Sequence, residues 1–216
     1  MKLLDLFCGA GGAAMGYHKA GFEVVGVDIH PQPHYPFEFH QADALEFPLK
    51  GFDVIHASPP CQAYSSLKHM WNAKKHVDFL PATRARLVAS RLPYIIENVR
   101  GAPLINPMVL CGTMFGLQTA DGDAELWRHR LFESNMGLTV DLECNHRKLK
   151  KVIGVYGSSG GKSVRGGTQG FSVKKRREAM GIDWMNGAEL SQAIPPAYTE
   201  FIGKRLIEIF KKGEKA

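Results

Sequence analysis

The first 28 residues constrain the fold more than any other stretch. Lys2–Phe7 (KLLDLF) is an apolar run of strand character, the glycine-rich CGAGGAAMG follows, HKAG is helical, and Phe22–Asp28 (FEVVGVD) is a second strand ending in an acid. Strand, glycine turn, helix, strand with a terminal carboxylate is the opening half of a nucleotide-binding α/β unit. The glycines let the backbone approach a ligand closely, and the helix start offers unpaired N–H groups. Asp28 stands 19 residues after Gly9, close to the roughly 20-residue spacing at which a carboxylate takes both hydroxyls of a ribose. Gly9-x-Gly11-x-x-Ala14 also fits the looser dinucleotide pattern, so an NAD-dependent dehydrogenase stays open at this point.

The second constraint is Ser58–Ser66, SPPCQAYSS. It follows FDVIHA (Phe52–Ala57), dense in apolar residues and read as a buried parallel strand. Two prolines stop the strand and stiffen the turn, and Cys61 comes next. Ligands of open α/β sheets sit beyond the carboxyl ends of the strands, so Cys61 is a candidate nucleophile. PYIIENV (Pro93–Val99) is the next strand, with Glu97 near its end. A thiol and a carboxylate at neighbouring strand ends make a site that neither makes alone. Asp43 follows a short strand in FEFHQADALEFP and is read either as an adenine contact or as a turn cap.

Further along, Asn106–Leu117 (NPMVLCGTMFGL) is read as a helix and turn with Cys111 in the core. LWRHRLFES is read as one strand whose alternation places Arg128 and Arg130 on the same face, able to clamp an anion or a planar ring. AYTEFIGKRLIEIFKK has apolar residues at helical spacing and is a helix on the core, with QAIPP the turn before it.

Composition bears on the partner. The 216 residues carry a net charge of +6, and positions 145–177 hold ten Lys or Arg, seven glycines and no acid. A long basic run without compensating acids suits a polyanion. The four cysteines show no CxxC pair, which suits a reduced compartment. Cys144-x-His146 is half of a zinc pattern with no second pair nearby in sequence, so no metal is expected. No apolar run approaches the length of a membrane span.

DLFCGAGG, GVD, SPPCQAYSS, ENV, RHR and QAIPP, in that order and on those elements, resemble the cytosine-C5 DNA methyltransferases, in particular the short phage-type members. The resemblance implies a Rossmann-like S-adenosylmethionine-dependent sheet with helices on both faces and a minimal basic target-recognition region. On that pattern residues 1–133 and 189–216 form the catalytic domain and 134–188 the recognition region. It implies S-adenosylmethionine as methyl donor, with Phe7, Gly9, Gly11, Ile29 and Pro59 lining it, Asp28 holding its ribose and Asp43 its adenine amino group. It implies Cys61, Glu97, Arg128 and Arg130 as the catalytic set: Cys61 adds to carbon 6 of a flipped-out cytosine, Glu97 hydrogen-bonds ring N3, and Arg130, helped by Arg128, binds the O2 side. Ser65, Lys148, Lys150, Lys151, Lys162 and Arg165 are the candidate nucleic-acid contacts. The expected partner is double-stranded DNA, met by a monomer in the cytoplasm of a bacterial or phage-infected cell; the same chemistry on RNA is the alternative. Two positions depart from the family pattern: Leu126 replaces the usual Gln before the arginines, and Ser191-Gln192 replace Gly-Asn before the final Pro-Pro.

Overall fold

The structure, a computed structural model, describes residues 1–64, 76–146, 151–156 and 170–213. Seven strands form one sheet: β1 (Lys2–Leu6), β2 (Glu23–Asp28), β3 (Glu38–Gln41), β4 (Val54–Ala57), β5 (Tyr94–Asn98), β6 (Met108–Leu110) and, numbered after the short β7 (Ala124–Leu126), β8 (Arg130–Ser134). Their spatial order is β3-β2-β1-β4-β5-β8-β6. β1 to β5 are mutually parallel, while β8 runs antiparallel to both β5 and β6. The order reverses at β1, and β4 takes the side of β1 away from β2. That reversal opens a crevice at the carboxyl ends of β1 and β4, where such folds bind ligands.

The alternation of β-strand side chains divides the core between two faces. Leu3, Val24, Val54, Ile95 and Phe132 pack with Tyr17 of helix α1 (Gly12–Ala20) and Tyr198, Ile202 and Leu206 of helix α5 (Pro196–Gly213). Leu4, Val25, Ile55 and Ile96 pack on the other side with Leu80 and Leu87 of helix α2 (Leu80–Ser90). Helices therefore cover both faces, as expected. α1 and α5 approach closely because two glycines lie at their contact: a Cβ on Gly16 would come 2.0 Å from Thr199 Oγ1, and one on Gly203 would come 2.7 Å from the Ala20 Cβ. Thr199 Oγ1 also donates to the Ala13 carbonyl at 2.8 Å. α2 is tied to the antiparallel strand by Arg84, whose Nε and Nη2 meet the two oxygens of buried Glu133 at 2.9 and 2.7 Å.

A third cluster sits beside the sheet. β7 pairs in parallel with β9 (Lys151–Ile153), and this small sheet packs with helices α3 (Val173–Met180) and α4 (Gly187–Gln192) around Leu126, Ile153, Met180, Met185 and Leu190. α4 opens with a full capping box between Asn186 and Glu189. The cluster reaches the glycine turn through Ala10, whose carbonyl accepts from Trp184 Nε1 at 2.9 Å. Leu138 and Val140 pack instead against the first face of the large sheet.

Two expectations are corrected here. LWRHRLFES is not one strand: β7 ends at Leu126 and β8 begins at Arg130, so residues 127–129 bridge two sheets. NPMVLCGTMFGL is a strand, β6, and a short 3-10 helix (Gly112–Phe115) rather than an α-helix. Gly112 explains the second: a Cβ there would lie 2.2 Å from the Leu126 carbonyl oxygen, so the turn is pressed against β7. Among the described residues, no helix is long and apolar enough to cross a membrane.

Candidate active site

The turn after β1 is built from left-handed residues. Phe7, Gly9 and Gly11 have φ values of 57°, 50° and 83°. The two glycines take that conformation without a side-chain penalty; Phe7 does not, at a cost on the order of 1–3 kcal/mol. The turn is pinned to β2 at two points: Cys8 N donates to Val27 O at 3.1 Å, and Gly9 N to Asp28 Oδ2 at 3.0 Å. The other oxygen of Asp28 accepts from His30 N at 2.9 Å. Each carboxylate oxygen is thus oriented by a backbone N–H and keeps acceptor capacity for a further hydroxyl. A Cβ on Gly11 would meet the Pro36 ring at 2.8 Å and the Tyr35 ring at 3.0 Å, so this glycine is covered by the Pro-rich loop. A Cβ on Gly9 would meet nothing within 4 Å. Ile29, next to Asp28, leaves 61% of its surface exposed. An oriented carboxylate, an open backbone turn and a bare apolar side chain fit a nucleoside: hydroxyls for Asp28, a ring face for Ile29. Asp43 is exposed after β3, and its Oδ1 accepts from Leu45 N at 2.8 Å, the geometry of a turn cap.

β4 and β5 bring the second group together. Their register pairs Ala57 with Ile96, which puts Ser58 level with Glu97. Asn98, overlooked as a functional position in the sequence, donates from Nδ2 to the Pro59 carbonyl at 2.9 Å and so fastens the Pro-Pro turn to β5. Its place directly after Glu97 was the available signal. Behind the turn runs a buried polar chain. Tyr17 Oη is 3.0 Å from His56 Nδ1, His56 Nε2 is 2.9 Å from Ser58 Oγ, and Ser58 hydrogen-bonds Glu97. Burial pushes the His56 pKa down to about 3, so the imidazole is neutral.

Glu97 is 6% exposed, and its Oε1 lies 3.1 Å from Arg130 Nε. Burial raises the carboxyl above its usual range, while Arg130 and then the Ser58 hydrogen bond pull the other way. Half-buried Cys61 responds to the same pair: burial pushes the thiol up, Glu97 adds to this, and Arg130 pulls it down. In this state the thiol is therefore a weaker acid than a free cysteine, and it gains reactivity when positive charge outweighs Glu97 beside it.

The two arginines do not share a face. Arg128 is 1% exposed; its guanidinium donates to the carbonyls of Val155 and Ser191, the latter at 2.8 Å, and its own carbonyl accepts from Tyr198 Oη at 2.6 Å. Burial, with Arg130 close by, pulls its pKa down to about 9. Arg128 is thus a clamp holding residues 127–129 to the ends of β9 and α4, because the break between β7 and β8 turns it into the third cluster. Only Arg130 faces Glu97. Of the candidate nucleic-acid contacts, Lys151 begins β9 and is exposed; Ser65, Lys148, Lys150, Lys162 and Arg165 lie outside the described residues.

Residues 1–104 match the family model of C-5 cytosine-specific DNA methylases. Type II methyltransferase M.HgiDI of Herpetosiphon aurantiacus is 32% identical over 124 residues, 48% of this chain and 38% of that protein. Type II methyltransferase M.HgiGI of the same organism is 30% identical over 124 residues, 48% of this chain and 94% of that sequence. The first relatives are much longer than the matched part: the chain spans 38%, 20% and 34% of M.HgiDI, M.AgeI and M.NgoPII. Among solved structures, S. pombe Dnmt2 methyltransferase superposes with a TM-score of 0.63 at 13% identity, covering 96% of this chain and 98% of that one. The Entamoeba histolytica methyltransferase EhMeth gives 0.62 at 11% identity, with 98% of each chain covered. At these identities the likeness is one of fold.

Proposed function

The chain belongs to the cytosine-C5 DNA methyltransferase family, and we propose that it methylates carbon 5 of cytosine in DNA through a covalent adduct at Cys61. The observation that carries this reading is the meeting of Cys61 with the Glu97–Arg130 pair at the carboxyl ends of β4 and β5, beside the open Gly9 turn that Asp28 pins.

S-adenosylmethionine, when bound, supplies the electrophilic methyl group. Asp28 would hold its ribose, Ile29 its base, and Phe7, Gly9, Gly11 and Pro59 would line the remainder, with Asp43 at the adenine edge. Carbon 5 of cytosine is a poor nucleophile. The Cys61 thiolate corrects this by adding to carbon 6 of the same ring, so that electron density moves to carbon 5. Glu97, raised by burial, takes a proton readily and in that state donates to ring N3 as negative charge develops there. Burial raises the Cys61 thiol most and the Glu97 charge adds to it, so neutralising Glu97 removes the second of these effects and couples entry of the base to activation of the nucleophile. Arg130 then faces the O2 side. Arg128 keeps Arg130 in register from behind and does not reach the base. After carbon 5 takes up the methyl group, a base removes the carbon 5 proton and Cys61 leaves by elimination.

Cytosine must leave the duplex to reach this crevice, at a cost of a few kcal/mol. The basic stretch within 145–177 supplies phosphate contacts around it, and residues 134–188 supply target recognition. Methylation-sensitive sequencing of DNA from cells expressing the chain tests the reading. The expected result is 5-methylcytosine at defined sites, absent with Cys61→Ala. Transfer of tritiated methyl to tRNA and none to duplex DNA would move the activity to RNA.

A further inference from the structure

The fold completes the half-pattern Cys144-x-His146 with two ligands that are distant in sequence. Cys111 follows β6, and His129 lies between the two arginines. The ligand atoms of Cys111, His129, Cys144 and His146 all lie within 4.8 Å of one another. The Cys144 sulfur is 2.8 Å from His146 Nε2 and 3.4 Å from His129 Nε2, and the Cys111 sulfur is 3.4 Å from His146 Nε2. With Zn–S near 2.3 Å and Zn–N near 2.0–2.1 Å, the edges of a tetrahedral site are roughly 3.3–3.8 Å. Three of these contacts stand near that scale and all lie within 4.8 Å, so a metal at their centre needs the closest contact to open, and the widest to close, by about an ångström.

We propose that Cys111, His129, Cys144 and His146 form a tetrahedral zinc site that locks the segment carrying Arg128 and Arg130 to residues 141–146. The donor set selects the metal: two sulfurs and two imidazoles in four-fold arrangement suit zinc. Both thiols lose their protons on binding, and the two thiolates balance the dication, so the site is neutral. That suits Cys111, which is fully buried. Support from outside the cluster is present. Thr113 Oγ1 lies 3.4 Å from the Cys111 sulfur and 3.7 Å from that of Cys144, placed to hydrogen-bond thiolates. The indole of Trp127 stacks on the His146 ring at 4.0 Å and 11°, and His129 meets that ring edge-on at 5.0 Å, which fixes both imidazole planes. The role is structural, since four protein ligands leave no open position for substrate. Its consequence is local: the His129 carbonyl accepts from Arg130 Nη1 at 2.9 Å, so holding His129 holds the arginine that faces Glu97. The sequence hid this site because its ligands are separated by 18 and 15 residues before the one close pair.

The test uses the untagged full chain, purified without chelators. Elemental analysis is expected to give one zinc per chain, falling below a tenth in the double variant Cys144→Ser, His146→Ala, with circular dichroism confirming that the variant is folded. Exchange into cobalt should give the intense visible bands of a tetrahedral thiolate site. His146→Cys, which retains four ligands, should keep the metal and strengthen the thiolate charge-transfer band; it decides the matter if the double variant does not fold. Folded wild-type chain without zinc and without a tetrahedral cobalt spectrum would overturn the proposal. So would zinc that persists in the folded double variant, or a Cys111–Cys144 disulfide in the non-reduced protein.

Discussion

Arg130 Nε stands 3.1 Å from Glu97 Oε1 across two antiparallel strands, and both groups act on the Cys61 thiol with opposite sign. Burial does most to hold the thiol up, and the pair adjusts how much thiolate the site holds before any base arrives. Glu97→Gln removes the charge that raises Cys61 and should speed alkylation of Cys61 by iodoacetamide at pH 8, by up to about tenfold for each pKa unit regained. Arg130→Met removes the charge that lowers it and should slow the same reaction. Peptide-level mass spectrometry separates Cys61 from exposed Cys144. Equal alkylation rates in both variants would show that the pair does not control the thiol. Turnover should fall in both, by roughly 10²–10⁴-fold for Glu97→Gln, the scale for a positioned acid.

Cys61→Ala should abolish methyl transfer while leaving the affinity for S-adenosylmethionine near normal, because in the proposed mechanism the thiol acts on the base while Asp28 and the glycine turn hold the donor. Covalent trapping on a duplex containing 5-fluorocytosine should disappear with it. Trapping that survives would transfer the nucleophile's role to another side chain.

Arg128 separates stability from chemistry. Its guanidinium is buried on two carbonyls, and Arg128→Met leaves both without their donor. Each unsatisfied buried polar group costs about 1–3 kcal/mol, so with two carbonyls losing this donor the variant should lose roughly 2–6 kcal/mol of unfolding free energy in urea. Arg130→Met should lose less stability and more activity. An Arg128→Met protein as stable as wild type would return Arg128 to the substrate side.

Most of the parallel half of the sheet was legible in the sequence because β1, β2, β4 and β5 are short, largely apolar runs closed by a glycine, proline or acid; the edge strand β3 (EFHQ) is mostly polar and exposed. Gly9, Asp28, Cys61 and Glu97 were legible for the same reason: strand ends position them, and strand ends are marked locally. What escaped depends on contacts between distant segments. Arg128 and Arg130 alternate as they would on a strand, yet Leu126 pairs with Ile153 and Arg130 with Leu110, so the chain changes sheets between them. Cys111 reads as an ordinary core residue until the fold brings Cys144 and His146 against it. Asn98 sits in the ENV motif, yet neither it nor His56 shows its partner in the sequence; Pro59, Tyr17 and Ser58 meet them only once the strands are in register.

The basic region should contribute charge without sequence preference. Neutralising Lys148, Lys150 and Lys151 together should weaken binding to all duplexes alike, and the slope of log K against log salt should fall by roughly 0.9 per lost phosphate contact. Titrations at several salt concentrations measure it. An unchanged slope would place these lysines away from the phosphates.

His56 is fully buried between Tyr17 and Ser58, with a pKa near 3 against an ordinary value of 6.5. The unfolded chain takes up a proton at this residue near pH 6.5, and the folded chain declines it until about pH 3. Between those values the unfolded state binds more protons, so stability falls as the pH is lowered, by up to about 1.4 kcal/mol per pH unit. From pH 7 to pH 5 the loss from this residue is about 2 kcal/mol. Asp5 works the other way. Burial, with Asp28 nearby, raises its pKa well above the usual carboxylate range, so the unfolded chain releases that proton first and the fold gains stability as the pH falls toward 4. A wild-type curve alone mixes the two contributions. His56→Gln keeps a donor and an acceptor but cannot be protonated, and Asp5 is unchanged in it. The difference in unfolding free energy between wild type and His56→Gln should therefore shift by about 2 kcal/mol in favour of the variant between pH 7 and pH 5. A difference independent of pH would mean that folding leaves the His56 pKa at its ordinary value, so that the folded chain, like the unfolded one, takes up this proton between pH 7 and pH 5 and the Tyr17–His56–Ser58 chain behind Glu97 becomes charged there.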